Sequence, residues 1–203
     1  MAADGLRELV RKRARRVTLA AFLDALSPRD RMQAVQGLGA RALAALWELA
    51  ATDDPGPIEL SLLVPGPVPA GHTVEWVGVN SLLLFRRFAK RFVRTSDPQL
   101  LVGHNTGAAQ WLVGPGYFTV TVRPDCPSEL LFDYTRVPPA APPGWPALRS
   151  NEQGLARMVF GGMYDHLRAV GSHAAVGAAF TYGRGPRGQH FALARGSLLP
   201  TGV

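Results

Sequence analysis

The residues best suited to chemistry begin at a short polar run set between glycines, Gly103-His104-Asn105-Thr106-Gly107. An imidazole, an amide and a hydroxyl flanked by glycine predict a turn whose backbone a ligand can approach closely. Asp133 interrupts an otherwise apolar strand-like stretch, Glu129–Thr135. A carboxylate there requires a charged or hydrogen-bonded partner. Histidine titrates near neutrality and can be that partner. His104 and Asp133 are therefore the expected acid–base pair of one pocket. Asn105, Thr106, Tyr117 and His166 are its expected ligand contacts. The structural alternative is a tight turn in which Asn105 and Thr106 bond their own backbone, with Asp133 in an ion pair.

Other chemistries find little support. Cys126 is the single cysteine, which excludes an internal disulfide and a multi-cysteine metal site. No two histidines stand four apart as a helical zinc site requires, so no metal is assigned. There is no nucleophile elbow, Walker loop or strand-anchored dinucleotide fingerprint, and the sequence names no cofactor.

The net charge is +7, and two stretches account for it. Residues 1–16 carry Arg7, Arg11, Lys12, Arg13, Arg15 and Arg16 against Asp4 and Glu8. Residues 86–94 carry Arg86, Arg87, Lys90, Arg91 and Arg94 with no acid. Residues 80–94 are read as an amphipathic helix that buries Phe85, Phe88 and Phe92 and turns these five cations outward as an anion-binding set. Its expected partners are an acidic protein or nucleic acid. Lysine is scarce and arginine and alanine abundant, the usage of a high-GC bacterial genome. No apolar run approaches the roughly 18 residues of a spanning helix, and no leader-like apolar run follows the basic N-terminus, so a cytoplasmic setting is expected.

Positioning these residues falls to an N-terminal helical segment (1–52), a proline-rich connector (53–72) and an α+β domain (73–203). Ser27-Pro28-Arg29-Asp30 is a strong helix start: a capping hydroxyl, a proline in the first turn and an acid at the positive helix end. Strands are expected at 73–79, 99–103, 117–122 and 129–135, and in a hairpin formed by 175–182 and 190–194. Residues 151–170 are read as a long helix with His166 on its apolar face and Gly161-Gly162 in close contact with a neighbouring backbone. The fold class is α+β, a curved antiparallel sheet of five or six strands packed by two helices. The leading function is binding of a small molecule between the sheet and the long helix, with acid–base catalysis as its enzymatic form. The alternatives are a non-enzymatic interaction module using the basic faces and a structural subunit of a larger assembly.

Overall fold

The computed structural model describes residues 2–108 and 110–199, the side chains of 197–199 excepted. Four helices come first: α1 (Ala2–Arg11), α2 (Arg16–Ala25), α3 (Pro28–Gln36) and α4 (Ala40–Leu49). At the start of α3 the Ser27 hydroxyl accepts from the Asp30 backbone N–H, as the sequence leads one to expect. Eight antiparallel strands follow: β1 (Thr73–Asn80), β2 (Arg87–Arg94), β3 (Leu101–Thr106), β4 (Phe118–Val122), β5 (Leu130–Asp133), β6 (Met163–Gly171), β7 (Ala174–Thr181) and β8 (Gly185–Leu199). Each pairs with its sequence neighbours, and β1 also pairs with β8, which closes a barrel. Two short helices, α5 (Gln110–Val113) and α6 (Gly154–Phe160), lie in connections at one end.

The expected open sheet of five or six strands is therefore incorrect: the sheet is a closed barrel of eight. The correction has two sources, both strands taken for helix. Along β2 the inward row is Phe88, Lys90, Phe92 and Arg94, which mixes aromatic rings with cations. A strand tolerates this because each cation meets acceptors inside. Arg94 caps the closed end by donating to Val68 O (2.7 Å) and Val64 O (2.9 Å). Along 151–170 the chain is helical only through Phe160. Gly162 then turns with φ +59°, and β6 begins at Met163. The paired glycines mark a helix-to-strand corner, not close packing within a helix.

The closed half of the barrel is solid. Phe118 and Phe132 stack at 5.2 Å, and Phe92 meets both edge-on. The connector plugs the end with Leu63, Val64 and Val68, and Trp76 Nε1 donates to Leu63 O. Gly103 belongs to β3 and not to a turn. It lies under Phe118, whose ring a Cβ at this position would strike. The N-terminal helices cover the outer wall built by Val79, Val170, Ala174, Val176, Ala192 and Ala194. The proline-rich loop after β5 covers another wall, with Trp145 and Leu148 against Val93, Val102 and Tyr117.

This layering sets an expectation for stability. Phe132→Ala removes a fully buried ring from the solid half and should cost about 3–5 kcal/mol in urea unfolding. Phe88→Ala should cost clearly less, because Phe88 is only half-buried and lines open space.

Candidate ligand cavity in the barrel

Above the Phe118–Phe132 layer the barrel is hollow. The cavity measures about 440 Å³ and opens between the β1–β2, β3–β4, β5–β6 and β7–β8 connections. Its walls are apolar, among them Phe88, Val113, Phe160, Met163, Ala179 and Phe191. Four polar residues break this lining near the barrel's middle: Lys90, Asn105, Tyr134 and Asp165.

These four come from four separate parts of the sheet. Lys90 on β2 stands directly across the ladder from Asn105 on β3. Tyr134 follows β5, and Asp165 lies on β6 opposite Phe132. Lys90 Nζ donates to Asn105 Oδ1 (2.9 Å) and to Tyr134 Oη, and it lies 3.4 Å from Asp165 Oδ2. Tyr134 Oη donates to the same Asp165 oxygen (3.2 Å). Asn105 Nδ2 is anchored on Gly116 O (3.1 Å). The ammonium also sits 4.7 Å from the centre of the Phe118 ring and 5.1 Å from that of Phe191, faces that attract a cation.

Burial dominates the electrostatics. Lys90 and Asp165 are 2% and 3% exposed. Desolvation pushes the Lys90 ammonium down, and the Asp165 charge opposes this. Desolvation pushes the Asp165 carboxyl up, and Lys90 opposes that. Tyr134 is pushed well up by burial, with Asp165 adding to it, and remains a phenol. The pair is thus held against the preference of each member for its neutral form. Asp165 Oδ2 takes both bonds, while Oδ1 receives none from the described residues. An acid, a base and a phenol in contact at the floor of an apolar cavity can bind the polar end of a molecule and can exchange protons with it.

Of the residues singled out in the sequence, Asn105, Thr106, Arg87 and Lys90 line this cavity. His104 does not. It alternates outward on β3 and packs beneath Trp145 (4.5 Å) and beside Tyr117 (5.5 Å). Its Nδ1–H donates to Asn105 O, and Nε2 has no partner among the described residues. Asp133 also faces outward, where it accepts from Thr135 N, Thr135 Oγ1 and Tyr182 Oη. The two side chains therefore make separate sets of contacts and form no pair. Tyr117 donates to Pro146 O on the outer wall and does not close the cavity. His166, on a strand and not a helix, accepts from Arg123 and lies beside Glu129 outside the barrel. The five expected anion-binding cations do not share a face. Arg86 donates to Leu38 O, Arg91 pairs with Glu75 and Arg94 ties down the connector.

Sequence reasoning passed over Tyr134, Asp165 and the aromatic wall, and it placed Lys90 on the surface. One signal was present: the chain has 22 basic residues and only two lysines, Lys12 and Lys90. A lysine offers a compact ammonium where an arginine would bring a broad guanidinium, and Lys90 uses that difference in a closed site while Lys12 lies on the surface. In comparisons with known proteins, no protein-family model and no curated protein matches the chain.

Two outcomes test this description. Lys90→Met alone leaves a buried unpaired carboxylate and should cost about 3–5 kcal/mol in urea unfolding. The double variant Lys90→Met/Asp165→Leu should recover all of that loss or exceed the parent. The second concerns His104, whose pKa burial, aided by the Arg91 charge, holds down at about 4 against an ordinary 6.5. The unfolded chain binds this proton more readily than the folded one between those values. Stability should therefore fall as pH drops from about 6.5 toward 4, by on the order of 3 kcal/mol. His104→Phe should remove that part of the pH dependence.

Proposed function

We propose that the protein binds a small, mostly apolar molecule inside the barrel, with its polar end against Lys90, Tyr134, Asp165 and Asn105. The observation that carries this is the buried Lys90–Asp165 pair at the floor of an apolar cavity. A fold selected for stability alone would fill such a site with hydrocarbon, since replacing a buried ion pair by apolar side chains is often neutral or stabilising. The volume of about 440 Å³ falls within the range of sites for small organic ligands. The lining offers many apolar contacts and few polar ones, the pattern that holds a ligand body loosely by shape and fixes one end by hydrogen bonds. The single cysteine and the arginine- and alanine-rich composition favour a bacterial cytoplasmic setting for this binding.

The Tyr134 hydroxyl, hydrogen-bonded to both Lys90 and Asp165, favours a second, enzymatic form of the same reading. There the phenol gives a proton to the bound molecule and Asp165 or Lys90 takes one away.

Titration with the apolar fluorophore 1-anilinonaphthalene-8-sulfonate tests the binding reading. Saturable one-to-one binding with a blue-shifted emission is expected. Ala179→Phe, which projects a ring into the cavity, should weaken it at least tenfold with unchanged circular dichroism. Non-saturable binding, or binding indifferent to Ala179→Phe, would sink the proposal.

A further inference from the structure

The end of the barrel at which the cavity opens carries almost all of the exposed apolar surface. Among the described residues, every exposed large apolar side chain except Val17 belongs to the four connections there. Leu83 is 96% exposed, Trp111 79%, Met158 76% and Leu84 72%. Isolated exposed leucines need no explanation, but a ring of them on four separate loops around one opening does.

The first of these loops is built to present its side chains. Asn80 Oδ1 accepts from Leu82 N, and Asn80 Nδ2 donates to Phe85 O. Arg86 fastens the loop base to Leu38 O. Phe85 is held at φ +53°, a backbone region that bulky residues rarely occupy. Strain of this kind persists where surrounding bonds impose it, and it gathers at functional surfaces.

Charge then identifies what the ring meets. The four connections at the open end contain Arg86, Arg136, Arg149, Arg157 and Arg184 against the single acid Glu152. Arg149, Arg157 and Arg184 are exposed and make no ion pair among the described residues. The connections at the opposite end contain Asp97, Asp125 and Glu129 against Arg123. The strand connections are therefore polarised along the barrel axis, and the basic set is also the apolar one. Aromatic and aliphatic side chains interspersed with arginines match the headgroup region of an anionic bilayer, where rings and chains enter the acyl boundary and guanidinium groups meet phosphate.

We propose that the open end docks on an anionic lipid surface through Leu83, Leu84 and Trp111, with Arg149, Arg157 and Arg184 on the headgroups. Docking places the cavity mouth against the bilayer, so an apolar ligand passes between membrane and barrel without crossing water. Only that last step rests on the cavity reading; the docking stands on the surface itself.

Flotation with vesicles of phosphatidylcholine containing phosphatidylglycerol tests it, with pure phosphatidylcholine vesicles as the comparison. The parent protein should float with the anionic vesicles, and its tryptophan emission should shift to the blue. Leu83→Ser/Leu84→Ser/Trp111→Ser should reduce vesicle affinity at least tenfold. Arg149→Gln/Arg157→Gln/Arg184→Gln should reduce it to the level seen on neutral vesicles. Binding of the anilinonaphthalene probe without vesicles should stay within twofold in both variants, because none of the six residues lines the cavity. Probe binding that fails while flotation holds would remove the cavity reading and leave docking intact. Absence of flotation, or flotation unaffected by both variants, would overturn docking. A dimer by light scattering that the leucine–tryptophan variant renders monomeric would overturn it too, by assigning the ring to a second copy of the chain.

Discussion

The barrel is arranged around one ammonium, Lys90 Nζ, almost wholly buried at the inner end of the cavity. Removing such a charge from water costs several kcal/mol even after relaxation, and the cost is offset only where the geometry of its partners is good. Here the partners are a carboxylate from β6, an amide from β3, a phenol that follows β5 and the faces of aromatic rings. In an open sheet of the same strand order, β2 and β6 would lie four strands apart. That is roughly 19 Å at the usual spacing of adjacent strands, far beyond the reach of any side-chain contact. Closure bends β2 and β6 to face one another across the lumen. The Lys90–Asp165 contact and the closed barrel are thus two descriptions of one arrangement.

This dependence explains what could be read in the sequence. The four N-terminal helices, the Ser27-Pro28 start, β1, β4, β5 and the β7–β8 hairpin carry ordinary local signals, and all are legible. β2 and β6 are not, and those strands carry Lys90 and Asp165. A buried strand is recognised by an apolar inward row. Lys90 breaks that row in β2 and Asp165 breaks it in β6. What remains, Phe88 with Phe92 and Met163 with Leu167, falls at spacings that also suit a helix. The residues that make the site are the ones that conceal the strands bearing it. With two strands lost, eight read as five or six, and the lumen disappears from view.

Closure also decides which polar residues face the lumen. His104 stands out in the sequence as the imidazole of a glycine-flanked polar run and Asp133 as a carboxylate in an apolar strand, but on this barrel both face outward under covering segments. Trp145 from the proline-rich loop covers His104, and Thr135 and Tyr182 supply the partners of Asp133. Polar residues on that face serve the joints between the barrel and its coverings. Arg168 is another such joint: it stacks on Trp47, donates to the Trp47 carbonyl and pairs with Glu129. Of the central polar run, Asn105 is the residue that reaches Lys90, because alternation turns every second residue of β3 inward, while Thr106 lines the cavity from the end of the strand.

The seam between β1 and β8 has a kinetic meaning. Pairings between adjacent strands close short loops, but Val77 with Ala194 or Asn80 with Phe191 joins residues more than a hundred apart. Loop closure on that scale is entropically slow, and folds rich in such contacts take milliseconds to seconds to form. The lumen has no wall until this pairing is made. Helix α3 packs on both strands of the seam, and its partners along the wall, Val79 and Ala192, lie on either side of it. Pairing across this seam is therefore the step that creates the cavity. While the seam is open the sheet is unrolled, and β1 and β8 stand as its two unpaired edges.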